Sequence, residues 1–333
     1  MEPSLRIGSL GAASILEAAL VKPARVVDDV ELLAVAARDT VRARMYAAEH
    51  NVPRVHDSYE ALLDDPDIDA VYIPLPNALH AKWTMAALDA GKHVLCEKPF
   101  AANADEAQRA ADAAARTDLQ VMEAFHWRYH PLAARARDII ASGELGAIRR
   151  IDAAMCFPLF KRGDIRWRWD LAGGALMDAG CYPIHIVRSL MAAEPTVVDA
   201  KAKLRSPDVD RWMQLDLGFP DGARGRVTAS MWSADVLRLS VRVEGADGWL
   251  RIFNPIAPNL FHRFTVHTRG GRRSEKIAGD ATYVHQLRAF ADAVLRGKPT
   301  LTPPTDSVAN MRVIDAAYTA AGLPLRQGAT DHQ

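Results

Sequence analysis

The chain has 333 residues, of which 49% are hydrophobic and 25% are charged, a composition typical of a globular protein with two domains. Its 41 lysines and arginines balance 41 aspartates and glutamates, so no net charge favours binding to nucleic acid or to an anionic membrane. The first residues lack the pattern of a signal peptide, and no apolar run is long enough to predict a membrane span. The cysteines, Cys96, Cys156 and Cys181, are few and widely spaced, which argues against a disulfide framework and fits a reducing cytoplasm.

The first third of the chain alternates strands with helices. Apolar segments predict strands at 5–10, 32–36, 70–73, 93–96 and 119–124. Helical spacing predicts a helix that follows Gly11 and further helices at 40–50, 59–63, 78–90 and 105–116. Ser58 and Asn77 are the predicted N-caps of the helices at 59–63 and 78–90. This alternation predicts an α/β fold with a Rossmann-type parallel sheet and a ligand site beyond the carboxyl ends of its strands.

The turn at 11–16 stands where a dinucleotide site has its Gly-x-Gly-x-x-Gly phosphate loop. Only Gly11 matches that pattern, although Ala13 is small enough for a pyrophosphate to approach the N-terminus of the next helix. Leu16 takes the place of the last small residue and predicts looser packing of that helix on the strand. The turn by itself fits a phosphate site and an ordinary tight turn almost equally well.

The end of the second predicted strand indicates which dinucleotide the chain binds. A site for NAD has an acid there, whereas Arg38 can hold a 2′-phosphate in a bidentate manner and stack on adenine. Asp39, the next residue, is either a displaced ribose ligand or the cap of the following helix. We therefore expect NADP rather than NAD.

A third motif, Glu97-Lys98-Pro99, follows the predicted strand at 93–96. Lys98 falls at the edge where open parallel sheets bind their ligands, and Pro99 restricts the backbone of the lysine. The alternative is a strand that ends in a turn, with Lys98 solvated.

After residue 125 the pattern changes to long strands. A helix is predicted at 132–142, a strand at 148–157, and a helix that ends near residue 191. Strands at 196–204, 211–219, 223–232, 237–244, 248–253 and 263–268 then follow one another, and helices at 283–296 and 307–321 end the pattern. We predict a dinucleotide-binding domain at 1–125 and, at 126–333, an α+β domain with an open, mainly antiparallel sheet for substrate binding and oligomer contacts.

Taken together, the motifs resemble the Gfo/Idh/MocA oxidoreductase family, which includes glucose–fructose oxidoreductase and inositol dehydrogenase. The resemblance covers most of the chain and rests on Gly11, on Pro74-Leu75-Pro76-Asn77 with His80, on Glu97-Lys98-Pro99, on Glu123-Ala124-Phe125 with Arg128 and Pro131, and on Gly173-Gly174 through Tyr182. Many members have a histidine four residues after the aspartate of an Asp-x-Gly-x-His motif, where this chain has Tyr182 after Asp178. In this respect it is similar to the tyrosine-containing branch of NADP-dependent xylose dehydrogenases and dihydrodiol dehydrogenases.

The resemblance implies an oxidoreductase that transfers a hydride between NADP and a secondary alcohol, hemiacetal or ketone of a sugar or polyol. The alternatives are a trans-dihydrodiol or keto-sugar oxidoreductase and, as a non-enzyme, an NADP(H)-binding sensor without turnover. Tyr182 is expected to act as the general base with Lys98 beside it, and Asp178 is expected to orient the sugar or hold Tyr182. Cofactor contacts are expected from Gly11, Ala13, Arg38, Pro76, Asn77, His80, Glu97 and Lys98.

Other residues keep two interpretations. His185 is a second candidate acid–base group or a core histidine, and Trp127, Trp167 and Trp169 form either a stacking platform for a sugar or buried packing. His126 and His130 are four residues apart, but Pro131 and the surrounding aromatic residues favour a loop, so no metal is expected. A homodimer or homotetramer is expected, because an open sheet with alternating apolar residues needs cover.

Overall fold

The computed structural model describes residues 4–161, 163–232 and 237–329. The chain divides into two compact units, each with its own sheet. The first unit contains the described residues up to Tyr129, the segment Tyr283–Val308, and the described residues from Gly328 on. The second unit contains His130–Thr282 and Ala309–Gln327. In place of the single division predicted after residue 125, the chain leaves the first unit and returns to it twice.

The described part of the first unit contains a six-stranded sheet in the order β3-β2-β1-β4-β5-β6. Its strands are β1 (Leu5–Leu10), β2 (Val30–Ala36), β3 (Arg54–His56), β4 (Ala70–Ile73), β5 (His93–Cys96) and β6 (Val121–Glu123). All neighbouring strands are parallel, which confirms the predicted Rossmann-type sheet. The strand order reverses between β1 and β4, and such a switch point is where open sheets bind nucleotides.

The helices between these strands begin with a π-helix (Glu17–Val21) that continues into α1 (Lys22–Ala24). They are followed by α2 (Thr40–His50), α3 (Tyr59–Leu63), α4 (His80–Asp89) and α5 (Ala104–Ala114). The Asp39 carboxylate accepts hydrogen bonds from the backbone N–H groups of Val41 (3.0 Å) and Arg42 (3.2 Å), so Asp39 is the N-cap of α2. Ser58 caps α3 as predicted, since its hydroxyl accepts the Ala61 N–H at 3.0 Å.

The prediction of Asn77 as the N-cap of the next helix is wrong. Asn77 opens a short 3₁₀ helix (Asn77–Leu79), in which the Leu79 N–H donates to the Pro76 carbonyl at 2.9 Å. Because this 3₁₀ turn occupies the predicted first turn, α4 begins only at His80 and has no side-chain cap.

A helix from far along the chain, α8 (Thr282–Arg296), packs into the core of the first unit. Val284, Leu287 and Phe290 of this helix are buried in the same cluster as Leu5 and Ile7 of β1. Their spacing of three residues forms one apolar face of a helix, and that face completes the core. This packing is the physical reason why the chain returns to the first unit after residue 282.

The described part of the second unit contains an eight-stranded sheet in the order β14-β13-β12-β11-β7-β10-β9-β8. Its strands are β7 (Ile148–Cys156), β8 (Thr196–Ser206), β9 (Val209–Gly218), β10 (Arg224–Ser230), β11 (Arg238–Gly245), β12 (Gly248–Phe253), β13 (Arg263–Thr268) and β14 (Gly271–Glu275). The pair β7–β10 is parallel, and every other neighbouring pair is antiparallel, so the predicted mainly antiparallel sheet is confirmed.

The remaining helices are α6 (Pro131–Ala141), α7 (Cys181–Met191) and α9 (Pro304–Ala320), with 3₁₀ turns at His126–Tyr129, Ile165–Trp167 and Trp169–Leu171 and a π-helix at Leu176–Gly180. Helix α7 lies against β7 and β10, two neighbouring strands whose residues Ile151, Ala153 and Val227 are buried. Within residues 4–161, 163–232 and 237–329, no helix combines the length and the apolar composition that crossing a bilayer requires.

Candidate active site

The turn after β1 in the first unit has the features of a phosphate-binding turn. Gly11 adopts φ +131°, and a Cβ there would lie 3.3 Å from Leu75 Cδ2, so the position requires glycine. The Gly11 N–H donates to the Ala36 carbonyl at 2.7 Å, which holds the turn against the end of β2. Ala13 is half-buried beside it, and the small residues from Gly11 to Ala13 leave room for a phosphate to approach, so they fit a dinucleotide.

The end of β2 presents Arg38 to solvent. Among the residues that the structure describes, the Arg38 guanidinium forms no ion pair, whereas the Asp39 carboxylate is used to cap α2. An exposed arginine at this edge fits the 2′-phosphate of NADP better than the 2′-hydroxyl of NAD.

His80 connects the loops that follow β4 and β5. Its Nδ1 lies 2.6 Å from the Pro99 carbonyl oxygen and its Nε2 lies 2.8 Å from that of Leu75. Two acceptors favour the doubly protonated ring, but burial outweighs them and lowers the pKa of His80 to about 4. The ring packs between the two loops, with one nitrogen against a backbone carbonyl of each. Pro76 is half-buried and Asn77 is buried at the start of the same segment.

The residues after β5 are held from several sides. The buried Glu97 carboxylate accepts the Tyr72 hydroxyl at 2.6 Å and the Lys98 backbone N–H at 3.3 Å. Burial raises the pKa of Glu97, and the positive charge of Lys98 acts against that rise. Lys98 itself is half-buried, and its peptide bond to Pro99 is cis. The lysine thus extends from a backbone that its neighbours fix in place.

Two aromatic rings near this motif come from distant parts of the chain. The rings of His126 and Tyr283 lie 4.1 Å apart between centroids. Burial, and then the charge of Lys98, lowers the pKa of His126 to about 3, so that this histidine is neutral. Burial also raises the pKa of Tyr283, with a further contribution from Glu97. Tyr283 belongs to α8, and only the fold brings it to this position.

In the second unit, the Gly173-Gly174 motif binds the preceding loop. The Gly173 N–H donates to the Arg168 carbonyl and the Gly174 N–H donates to the Arg166 carbonyl, both at 2.9 Å. A Cβ at Gly173 would lie 2.5 Å from the Arg166 carbonyl oxygen, so only glycine allows this approach. The motif therefore holds the loop of 3₁₀ turns directly beside the start of the π-helix.

The π-helix Leu176–Gly180 carries Asp178 and continues without a break into α7, which carries Tyr182. The Asp178 N–H donates to the Gly174 carbonyl at 3.0 Å. Asp178 is 9% exposed and Tyr182 is 4% exposed, and their four-residue spacing places them one turn apart. His185, one turn further, is fully buried in the core.

Sequence reasoning missed a charged pair next to Asp178. The Asp164 carboxylate accepts hydrogen bonds from Arg166 Nε at 2.8 Å and from Nη2 at 3.0 Å. This contact raises the pKa of Arg166, and the Asp178 carboxylate adds to the rise, which indicates that Arg166 and Asp178 are neighbours. Only the spacing of an acid and an arginine two residues apart could have suggested the pair.

The tryptophans of the proposed platform differ in their surroundings. Trp127 is buried in the first unit, whereas Trp167 and Trp169 are half-buried in the second. The guanidinium of Arg205 lies 4.6 Å from the ring centroid of Trp167, and that of Arg326 lies 4.5 Å from the ring centroid of Trp169. Across the described ranges, no three histidine, cysteine, aspartate or glutamate side chains are grouped as a metal site would require.

Comparison with known families matches both halves of the chain. Residues 5–125 match the oxidoreductase family with an NAD-binding Rossmann fold that is named GFO_IDH_MocA, and residues 133–251 match the GFO/IDH/MocA C-terminal domain. These matches confirm the resemblance that the motifs indicated.

Several characterised proteins are similar over nearly the whole chain. D-xylose 1-dehydrogenase (NADP(+)) 2 of Haloferax volcanii is 39% identical over 95% of this chain and 97% of its own length. A dTDP-3,4-didehydro-2,6-dideoxy-alpha-D-glucose 3-reductase of Actinomadura kijaniata is 32% identical over 95% of this chain and 96% of its own. A crystal structure of a 3-ketoreductase from A. kijaniata with NADP and TDP-benzene superposes with a TM-score of 0.88 at 30% identity, covering 95% of this chain and 98% of that one. With both domain models matched and the fold shared throughout, the chain belongs to the Gfo/Idh/MocA oxidoreductase family.

Proposed function

We propose that this protein is an NADP-dependent enzyme that oxidises a secondary alcohol or hemiacetal of a sugar, or reduces the corresponding carbonyl. The observation that carries the proposal is the presence of an exposed Arg38 at the nucleotide edge together with the Asp178–Tyr182 segment of the second unit. The xylose dehydrogenase, at 39% identity, supports an aldopyranose as the first substrate class to test. A keto-sugar or a trans-dihydrodiol is the alternative, because relatives named for those substrates are 32% and 35% identical.

The cofactor would be held by residues of the first unit. Gly11 and Ala13 would face the pyrophosphate, Arg38 the 2′-phosphate, and the segment from Pro76 to His80 the ribose and nicotinamide. Glu97 and Lys98 would lie beside the nicotinamide. NADP, when bound, supplies the hydride acceptor, and the protein supplies orientation and proton handling.

Tyr182 would take the proton of the substrate hydroxyl, with Lys98 nearby. A lysine ammonium near a phenol favours the phenolate, so the pair would make a competent base. Asp178, one turn before Tyr182, would orient the sugar or the phenol, with Arg166 limiting its movement. The alcohol would lose one proton from its hydroxyl oxygen and one hydride from the carbon that bears this oxygen. It thereby becomes a carbonyl, and the charges balance.

A substrate panel tests the proposed function directly. The purified protein is mixed with NADP and each of xylose, glucose, a keto-sugar and a trans-dihydrodiol, and absorbance of NADPH is followed in both directions. We expect turnover of at least one sugar with NADP. Binding of NADPH without any turnover would instead favour a nucleotide-binding sensor.

Replacement of Tyr182 tests the proton step. Tyr182→Phe keeps the ring but removes the hydroxyl, so turnover should fall by about 10²–10⁴-fold, the usual contribution of a positioned acid–base group. The dissociation constant of NADPH, measured by fluorescence, should stay within about twofold, because the proposed cofactor contacts lie in the first unit.

Tyr46→Phe is the matched control, since the Tyr46 hydroxyl in α2 has no hydrogen-bond partner among the described residues. It should leave turnover unchanged. Full activity in Tyr182→Phe would assign the base to another residue.

We propose that the protein works as a homodimer or homotetramer in the cytoplasm. Side chains on the second sheet form charged pairs across strands, such as Asp216 with Arg226 (2.7 Å). Arg242 lies over Trp249, which stacks on His267, so the sheet also offers aromatic surface to a second copy. The cysteines in the described ranges are all free thiols, as a reducing compartment would keep them.

A further inference from the structure

A fully buried ion pair lies beneath the Gly173-Gly174 motif of the second unit. Asp210 at the start of β9 and Arg326 near the end of the described chain are both 0% exposed. Arg326 Nη2 donates to Asp210 Oδ1 at 2.9 Å, and the Tyr318 hydroxyl donates to the same oxygen at 2.9 Å. The guanidinium also lies 4.1 Å from the centroid of the Tyr318 ring.

The two charged groups hold the two ends of the link that precedes the π-helix. Arg326 Nε donates to the Gly173 carbonyl at 2.8 Å, and Asp210 Oδ2 accepts the Leu176 N–H at 2.7 Å. Gly174, between these points, has φ +137°, and a Cβ there would overlap Asp210 Oδ1 and lie 2.8 Å from Arg326 Nη2. The ion pair therefore fixes the backbone on both sides of Gly174.

Stability is a weak explanation for such a pair. Removing two charges from water costs several kcal/mol per ion, and well-packed apolar residues often replace a buried pair without loss of stability. An apolar side chain at 210 could not accept the Leu176 N–H, and one at 326 could not donate to the Gly173 carbonyl. What the charges provide is a set of directed hydrogen bonds to the backbone, at the point where the segment with Asp178 begins.

We propose that Asp210, Arg326 and Tyr318 are positioning residues for the proton transfer. They fix the first residue of the π-helix, and so the positions of Asp178, two residues later, and Tyr182, one turn beyond. The inference rests on the proposed function, since it concerns the placement of the groups that handle the proton. The three residues act through the backbone, and the proposal gives them no contact with substrate or cofactor.

Two isosteric variants test this inference. Tyr318→Phe removes one donor to Asp210, and Asp210→Asn removes the charge while keeping an oxygen for the Leu176 N–H. We expect kcat to fall about tenfold or more, because displacement of a catalytic group by ~1 Å can cost about 10²-fold. The Kd of NADPH should stay within about twofold, and the solvent deuterium isotope effect on kcat should rise as proton transfer becomes slower.

Glu275→Gln is the matched control. Glu275 on β14 is also a carboxylate shared by two partners, Arg135 and Arg273, in the same unit. It should lower the melting temperature without changing kcat or the isotope effect. Tyr318→Phe gives a result even where Asp210→Asn fails to fold.

The outcomes separate the two proposals. An active wild type whose Tyr318→Phe and Asp210→Asn variants keep its kcat overturns the positioning role alone. The same is true if kcat falls equally in Glu275→Gln, because the loss would then follow stability. A wild type that binds NADPH but turns over no compound of the panel overturns the proposed function, and the positioning role with it.

Discussion

The contacts of single residues explain why particular residue types occur in the motifs of this chain. Gly173 is a glycine because a Cβ would meet the Arg166 carbonyl, and Gly174 because a Cβ would meet the Asp210–Arg326 pair. Glu97 accepts hydrogen bonds from the Tyr72 hydroxyl and from the Lys98 backbone, and both donors suit a carboxylate. For both glycines, the contact that excludes a side chain comes from another part of the second unit.

Arg38 carries a prediction at this scale. Arg38→Ser should raise the KM for NADP about 10- to 100-fold, because hydrogen bonds to a charged group contribute ~1.5–3 kcal/mol. The KM for NAD should change much less, since NAD has no 2′-phosphate for the guanidinium to bind. Steady-state kinetics with both nucleotides measures the ratio.

Arg44→Ser provides the comparison for Arg38. Arg44 lies on α2, the helix that follows Arg38, and pairs with Asp57 at 3.4 Å on the surface. The preference for NADP should be the same in this variant as in the wild type. An unchanged preference in Arg38→Ser would show that another group reads the 2′-phosphate.

The sequence identifies a candidate functional residue only where that residue belongs to a short local motif. Lys98, Asp178 and Tyr182 stand in short patterns, so the sequence alone identifies them as candidates. Asp210 and Arg326 come from a strand start and a C-terminal segment that resemble ordinary polar positions. Nothing in their neighbours indicates that tertiary packing pairs them under Gly174.

At the scale of elements, sequence patterns predict regular helices and apolar strands better than short polar strands and π-helices. The helix Thr40–His50 and the strands Leu5–Leu10, Ala70–Ile73 and His93–Cys96 have the predicted bounds. The strands Arg54–His56 and Gly271–Glu275 escape prediction, because three and five mostly polar residues give no apolar alternation. The π-helical form of Leu176–Gly180 is equally inaccessible to sequence patterns, because π-helices are rare single turns and five residues show no period that sets them apart from an α-helix.

Strand β14 and helix α6 share an acid-sensitive contact. Arg135 Nε and Nη2 lie 2.7 and 2.9 Å from the Glu275 oxygens, and Arg273 Nε lies 2.9 Å from Oε1. Arg135 first, and then Arg273, lowers the pKa of Glu275 from 4.5 to about 2. Because the folded-state pKa is depressed, the stabilisation is complete above about pH 4.5 and is lost as the pH falls towards 2.

Glu275→Gln should therefore lower the free energy of unfolding at pH 7, and the difference from wild type should shrink between about pH 4.5 and 2. Urea denaturation at several pH values measures both quantities. Glu31→Gln, at an exposed position on β2 without an ion pair among the described residues, should show no such pH dependence. A constant difference across this range would mean that Glu275 is not the group that titrates.

At the scale of the whole molecule, the sequence predicts both sheets but not how the chain is shared between the units. The run of strands and helices identifies a parallel sheet followed by an open antiparallel one, and the structure has both. The apolar face of Thr282–Arg296 shows that this helix buries one side, but not which sheet it covers. Its assignment to the first unit depends on how Val284, Leu287 and Phe290 fit a surface that only the folded sheet defines.

The late arrival of that helix has a consequence for biosynthesis. On the ribosome, the six strands of the first sheet emerge long before Val284, Leu287 and Phe290 are translated. Until then the sheet lacks one of its apolar covers, so the nascent chain exposes a surface of the kind that chaperones bind. The first unit reaches its native core only after residue 291 has been translated, and a fragment that ends near residue 125 would carry that exposed surface permanently.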